Sequence, residues 1–175
     1  MKNLLSAILT GATILGSIGV LSAPIYAQDS RDKAAEERCL ALNIYYEARG
    51  SNLADKAAVA DVVINRTLDR RYPETICEVV QQGEQRPSWK DPEVMVMVRD
   101  RCQFSWYCDG KADDPQDEDR WMEAQLIAYN MLTHGKYRGI TEGATHYHAT
   151  YVNPSWASSL QQIGRIGAHI FYRWE

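Results

Sequence analysis

The chain has 175 residues, and its 19 Lys and Arg against 23 Asp and Glu give a formal net charge of −4 at pH 7. An acidic chain without a basic run argues against nucleic acid as the main partner. An anionic polymer would have to be held by hydrogen bonds and stacking, not by long-range attraction.

Met1-Lys2-Asn3, the uncharged stretch 4–21 and the small-residue region Ser22-Ala23-Pro24-Ile25-Tyr26-Ala27 read as an export signal over residues 1–27. Gly, Ser and Thr dilute the apolar run below what a permanent membrane span needs. A weak, releasable anchor is the alternative, so membrane contact is expected to be transient and confined to this segment. Residues 28–37 form a polar lead-in, frayed ahead of the first helix. Residues 38–175 form a single domain with one core, exported to the periplasm or the extracellular space and acting as a monomer.

The first helix runs to about Arg49, with Leu40, Asn43, Ile44 and Glu47 on one face. Gly50 stops it, and Ser51 or Asn52 can cap the next helix. That second helix, about 53–68, is apolar almost all round and so belongs at the centre. Residues 75–82 form a short helix with Ile76, Val79 and Val80 inward. Residues 83–92 are a polar loop, and the alternating run 93–101 fits either helix or strand, with helix preferred. The aromatic stretch 103–107 looks like an extended segment or hairpin arm before Asp109-Gly110.

After an acidic loop, 120–133 is an amphipathic helix with Trp121, Ala124, Ile127, Ala128 and Met131 on one side, ended by His134-Gly135. Residues 145–152 alternate as a strand, with Tyr147, Ala149 and Tyr151 on one face and His146, His148 and Thr150 on the other. A second strand follows at 167–174. The fold class is α+β, a helical body with a small antiparallel sheet.

The four cysteines of an exported chain suggest disulfides, with three pairings possible. Cys102 and Cys108 bracket the aromatic segment and could close a small loop. Cys39 and Cys77 would then tie the first helix to the segment after the second. Four free thiols are the alternative. A zinc site is disfavoured, since there is no Cys-x-x-Cys pair.

Glu47 is the candidate catalytic residue. An acid lodged on an apolar face keeps its proton to higher pH, which is what donation to a leaving oxygen requires. The competing reading is a solvated surface glutamate. A sugar-binding cleft can be assembled from Gln103, Ser105, Trp106 and Tyr107, then Tyr147, His148, Tyr151 and Trp156. Aromatic faces stack on sugar rings, while Gln, Ser and His read hydroxyl and N-acetyl groups. Phe104 and Trp121 are expected in the core, and Tyr147 and Tyr151 could equally be the buried face of a strand. His146 and His148 could hold a metal, but no third ligand lies nearby in sequence. Neither metal nor cofactor is expected. For a second acid, Asp61, Asp109 and Glu142 are the candidates.

Five ordered blocks resemble the SleB/CwlJ cell-wall hydrolase family. They are Tyr45-Tyr46-Glu47-Ala48-Arg49-Gly50, Ala58-Val59-Ala60 with Val63-Ile64-Asn65-Arg66, Cys102-Gln103-Phe104-Ser105-Trp106, Ala144-Thr145-His146-Tyr147, and Gly167-Ala168-His169-Ile170-Phe171-Tyr172. The resemblance covers about residues 38–174. It implies a fold similar to lytic transglycosylases and lysozymes. It also implies cleavage of the β-1,4 bond between N-acetylmuramic acid and N-acetylglucosamine of peptidoglycan glycan strands, with Glu47 as acid/base.

In transglycosylase members the muramic acid 6-hydroxyl attacks the anomeric carbon, and one carboxyl serves as acid and then base. Ordinary glycosidases use two carboxylates. The stretch between Ala27 and Cys39 is too short for the wall-binding module that spore enzymes often carry. A role in wall remodelling or as a phage endolysin is therefore expected over one in the spore cortex. Two other functions remain open: a non-catalytic peptidoglycan-binding module, and a metal-dependent wall amidase or peptidase built on His146, His148 and His169.

Overall fold

The computed structural model describes residues 25–175, with side chains from Asp32 onward. The export-signal segment lies outside the described residues except at its last three positions. Among the described residues four helices, α1 (Ile25–Ala48), α2 (Leu53–Thr67), α3 (Ile76–Val80) and α4 (Glu118–His134), accompany a hairpin of β1 (Gly83–Pro87) and β2 (Met95–Cys102). A second sheet contains β3 (His146–Ala149), β4 (Gln161–Ile166) and β5 (His169–Arg173) in the order β3-β5-β4, all antiparallel. Among the described residues no helix is long and apolar enough to cross a membrane.

The all-round apolar character of α2 has a direct cause: two cores meet on it. Ala60, Val63 and Ile64 pack with Leu40, Ile44 and Tyr45 of α1 and Ala124, Ile127 and Met131 of α4. Ala58 and Val62 pack on the other side with Ala144 and Phe171. A helix between two apolar layers has no face left for water. Its polar side chains are matched inside: Lys56 meets Glu123 at 2.6 Å, and Asp61 accepts from Arg138, the amide of Thr141 and its hydroxyl.

Side-chain caps set the helix starts, from Asn52 to the amide of Asp55, Thr75 to that of Glu78, and Asp117 to that of Arg120. Gly135, at φ 63°, closes α4 in the left-handed conformation.

Several expectations need correction. The lead-in 28–37 is not frayed but is part of α1. Glu36 there accepts the amide of Ile76 at 2.5 Å and so holds the start of α3. The loop expected at 83–92 contains β1, and of the two readings of 93–101 the strand holds, as β2, and not the preferred helix. Alternating Val and Met suit a strand once a partner is present, and Gln85 pairs with Met97 and Arg86 with Val96.

The segment 103–107 is not extended. A 3-10 turn spans Ser105–Cys108, within the loop closed by the Cys102–Cys108 disulfide. The other disulfide joins Cys39 to Cys77, so all four cysteines are bonded. Gly83 has to be glycine, since a Cβ there would lie 2.8 Å from Cys102 Sγ. The strand expected at 145–152 ends at Ala149, and β4 was not foreseen because Gly164 and a register shift interrupt its alternation.

Candidate active site

The last turn of α1 points Glu47 into a cavity of about 400 Å³. One wall is Gln103 and Phe104 of the disulfide loop. Another is β3, through His146, Tyr147, His148 and Ala149. Arg66, Tyr151, Trp156 and His169 complete the lining.

Tyr147 donates its hydroxyl to Glu47 Oε2 at 3.1 Å. Burial pushes the Glu47 carboxyl above the usual carboxylate range. The Tyr147 hydrogen bond and the charges of His169 and Arg66 oppose that shift without cancelling it. Burial beside Glu47 also drives the Tyr147 hydroxyl well above its ordinary value, so it stays a donor. Arg49 turns away, with Nη1 donating to Tyr45 at 3.3 Å.

Arg66 is only 6% exposed. Its Nε donates to the Thr145 carbonyl at 2.8 Å, and its guanidinium sits 5.2 Å and 5.3 Å from the rings of Tyr72 and Phe104. It places a positive charge near Glu47, favouring the carboxylate once the proton has left.

The three histidines do not converge. His146 and His148 share one sheet face with Tyr172, while His169 lies on the opposite face with Tyr147 and Phe171. His148 Nδ1 donates to the Ala149 carbonyl at 2.9 Å, which leaves Nε2 to accept from Tyr172, also at 2.9 Å. His146 lies against Thr145 and Tyr72, and burial with the nearby Arg66 and Arg71 charges lowers its pKa to about 4, so it is neutral. His169 Nδ1 lies 2.7 Å from Asp55 Oδ1. Among the described residues no group of three or more His, Cys, Asp or Glu is placed to hold a metal ion. The ligand set of the metal-dependent reading does not form.

Of the sugar-binding candidates, Gln103, Tyr147, His148, Tyr151 and Trp156 border the cavity, Tyr151 as an exposed rim residue. Ser105 and Trp106 do not. The 3-10 turn leaves Ser105 exposed outside the cavity and rotates Trp106 into the core. There it stacks on Tyr46 at 4.8 Å and donates to Asn43 Oδ1 at 3.3 Å. Phe104 is buried as expected yet also borders the cavity.

The second-acid candidates are elsewhere. Asp61 is tied to Arg138 and Thr141, Asp109 to Lys111, and Glu142 is an exposed turn residue. Among the described residues Glu47 is the one carboxyl in the lining.

Asp55 escaped the sequence reading, because an acid in the first turn of a helix looks like a capping residue. Burial works to raise its carboxyl, but hydrogen bonds from His169, Ser51 and the Ala168 amide outweigh burial and hold it below the ordinary value.

The fold has solved counterparts. The catalytic domain of the Bacillus cereus SleB protein is 23% identical with a TM-score of 0.56, covering 80% of this chain and 91% of that one. The catalytic domain of the germination-specific lytic transglycosylase SleB from Bacillus anthracis gives 23% and 0.56, covering 79% and 93%. At that identity the likeness shows a shared fold. No curated protein matches the chain. The family model of cell wall hydrolases matches residues 50–172 and begins just after Glu47, so the role of that acid rests on geometry. With most of its length matched, this chain belongs to the cell wall hydrolase family, in keeping with its resemblance to SleB/CwlJ sequences.

Proposed function

We propose that the protein cleaves the β-1,4 bond between N-acetylmuramic acid and N-acetylglucosamine in peptidoglycan, with Glu47 as general acid/base. The observation that carries this reading is a largely buried carboxyl, biased toward its protonated form, that faces a groove with no other acid in its lining among the described residues. Glu47 gives its proton to the departing glycosidic oxygen, and Tyr147 and Arg66 stabilise the carboxylate that remains.

Trp156 and Tyr151 offer ring faces to sugars at the groove's edge, while Gln103 and His148 offer polar groups to their substituents. A lone acid suits the lytic transglycosylase route, in which the muramic acid 6-hydroxyl is the nucleophile and no second carboxylate is needed. The fold shared with a lytic transglycosylase from Bacillus anthracis supports the same route. The substrate places the protein outside the cytoplasm, exported by its N-terminal segment, in wall remodelling or as an endolysin.

Mass spectrometry of material released from purified sacculi tests the reading. Anhydro-muramic ends from the wild type, and silence from Glu47→Gln, are expected. Reducing ends would replace the transglycosylase route by hydrolysis. Cuts confined to the peptide, or sedimentation with sacculi without any product, would overturn glycan cleavage.

A further inference from the structure

The fold holds a second pair of proton-carrying groups against the cavity. Asp55, fully buried in the first turn of α2, takes His169 Nδ1 on Oδ1 at 2.7 Å and the Ala168 amide on Oδ2 at 3.1 Å. The β4–β5 turn is pressed onto this carboxylate. Gly167 has φ +56°, and a Cβ there would lie 2.6 Å from Asp55 Cβ, so only glycine fits. A carboxylate clamped on Nδ1 keeps the imidazole proton on that nitrogen and leaves Nε2 as a base.

His169 borders the same cavity as Glu47, and its ring packs edge-on against Tyr147 at 5.1 Å. Its neighbour across the sheet is Ala149, so β3 offers only a methyl group at that position. Asp55 and Arg66 from α2, Glu47 from α1 and Tyr147 from β3 are the charged and titratable groups around the pair.

We propose that His169 is a second catalytic residue, whose Nε2 removes the proton from the attacking hydroxyl while Asp55 positions the ring. This rests on the glycan-cleaving reading and moves the base half of the reaction from Glu47 to His169. The bond from the anomeric carbon to the leaving oxygen breaks, and that oxygen receives the Glu47 proton. The attacking oxygen bonds to the anomeric carbon and gives its proton to Nε2. Transfer from His169 back to the Glu47 carboxylate through solvent restores the starting state.

The test is kcat and KM for muropeptide release by wild type, His169→Ala, His169→Gln, Asp55→Asn and Glu47→Gln, with thermal unfolding of each. His169→Ala is expected to lose about 100-fold in kcat with little change in KM, and to regain part of it in added imidazole. The acid limb of the kcat–pH profile should vanish in that variant. Asp55→Asn should also lower kcat with little change in KM, because the ring loses the partner that orients it.

A folded His169→Gln protein with wild-type kcat would overturn the proposal. So would a defect confined to KM, or an acid limb that survives in His169→Ala. If the alanine variant does not fold, the glutamine variant, which keeps a donor for Asp55, decides by the same criteria. If neither folds, a wild-type kcat profile without an acid limb overturns it, and one with an acid limb supports it. Lysis by Glu47→Gln would instead bring down the underlying reading. Full activity of the His169 variants beside an inert Glu47→Gln would remove this proposal alone.

Discussion

The Tyr147 hydroxyl meets Glu47 Oε2 at 3.1 Å, joining the edge strand β3 to the last turn of α1. The bond favours the ionised carboxyl, burial favours the neutral one, and burial wins. Tyr147→Phe removes only the donor, so the Glu47 pKa should rise further. An acid that must be protonated would then work to higher pH. The alkaline limb of the kcat profile is expected to shift upward, and a downward shift would contradict this balance.

Glu47→Gln should abolish muropeptide release and also change stability with pH. The native pKa lies above the unfolded one, so the native state binds more protons and wild-type stability falls as pH rises above the unfolded value of about 4.3. Below that value both states are protonated and the penalty is absent. The variant should therefore melt higher than wild type at pH 7 and at nearly the same temperature at pH 3. Paired thermal scans at the two pH values check this, and a variant less stable at pH 7 would refute it.

Asp61 is a structural carboxylate, and its removal should affect stability more than chemistry. It is fully buried and accepts from Arg138, the amides of Gly139 and Thr141 and the Thr141 hydroxyl. Asp61→Ala strands those donors and should cost about 3–5 kcal/mol in denaturant unfolding. Catalysis by the folded fraction should persist. Loss of kcat in a fully folded sample would restore Asp61 as a second acid.

The two disulfides should differ in effect. Cys39–Cys77 spans a sequence separation of 38 and Cys102–Cys108 one of 6. From loop entropy, removal should cost about 4 kcal/mol for the long loop and about 2 kcal/mol for the short one. The short loop carries Gln103 and Phe104 on the cavity wall. Cys102→Ser with Cys108→Ser should therefore depress activity more than its small stability loss implies. Chemical unfolding and muropeptide release, measured on each double variant, separate the two effects.

Local patterns made much of the helical body legible. The even apolar coverage of Ala57 to Ile64 marked α2 as central, and Asn52 and Gly135 mark helix ends through their own side chain and backbone. Val94 to Arg101 shows the limit. Its alternation is weak, and the partner that makes it a strand, Gly83–Pro87, is polar and exposed. Trp106 shows the same limit in the site. Whether its ring faced sugar or core depended on a 3-10 turn within a disulfide loop, and the turn sent it to Asn43 and Tyr46.

The sequence by itself determined that an acid would stand at the end of an apolar helix face, because helical period and a short run of residues fix that placement. Only the tertiary structure decided what surrounds it. Tyr147 lies a hundred positions away and Asp55 meets a histidine from the opposite end of the domain. Contacts of that range depend on how the sheet docks on α2, and side-chain periodicity carries no record of docking.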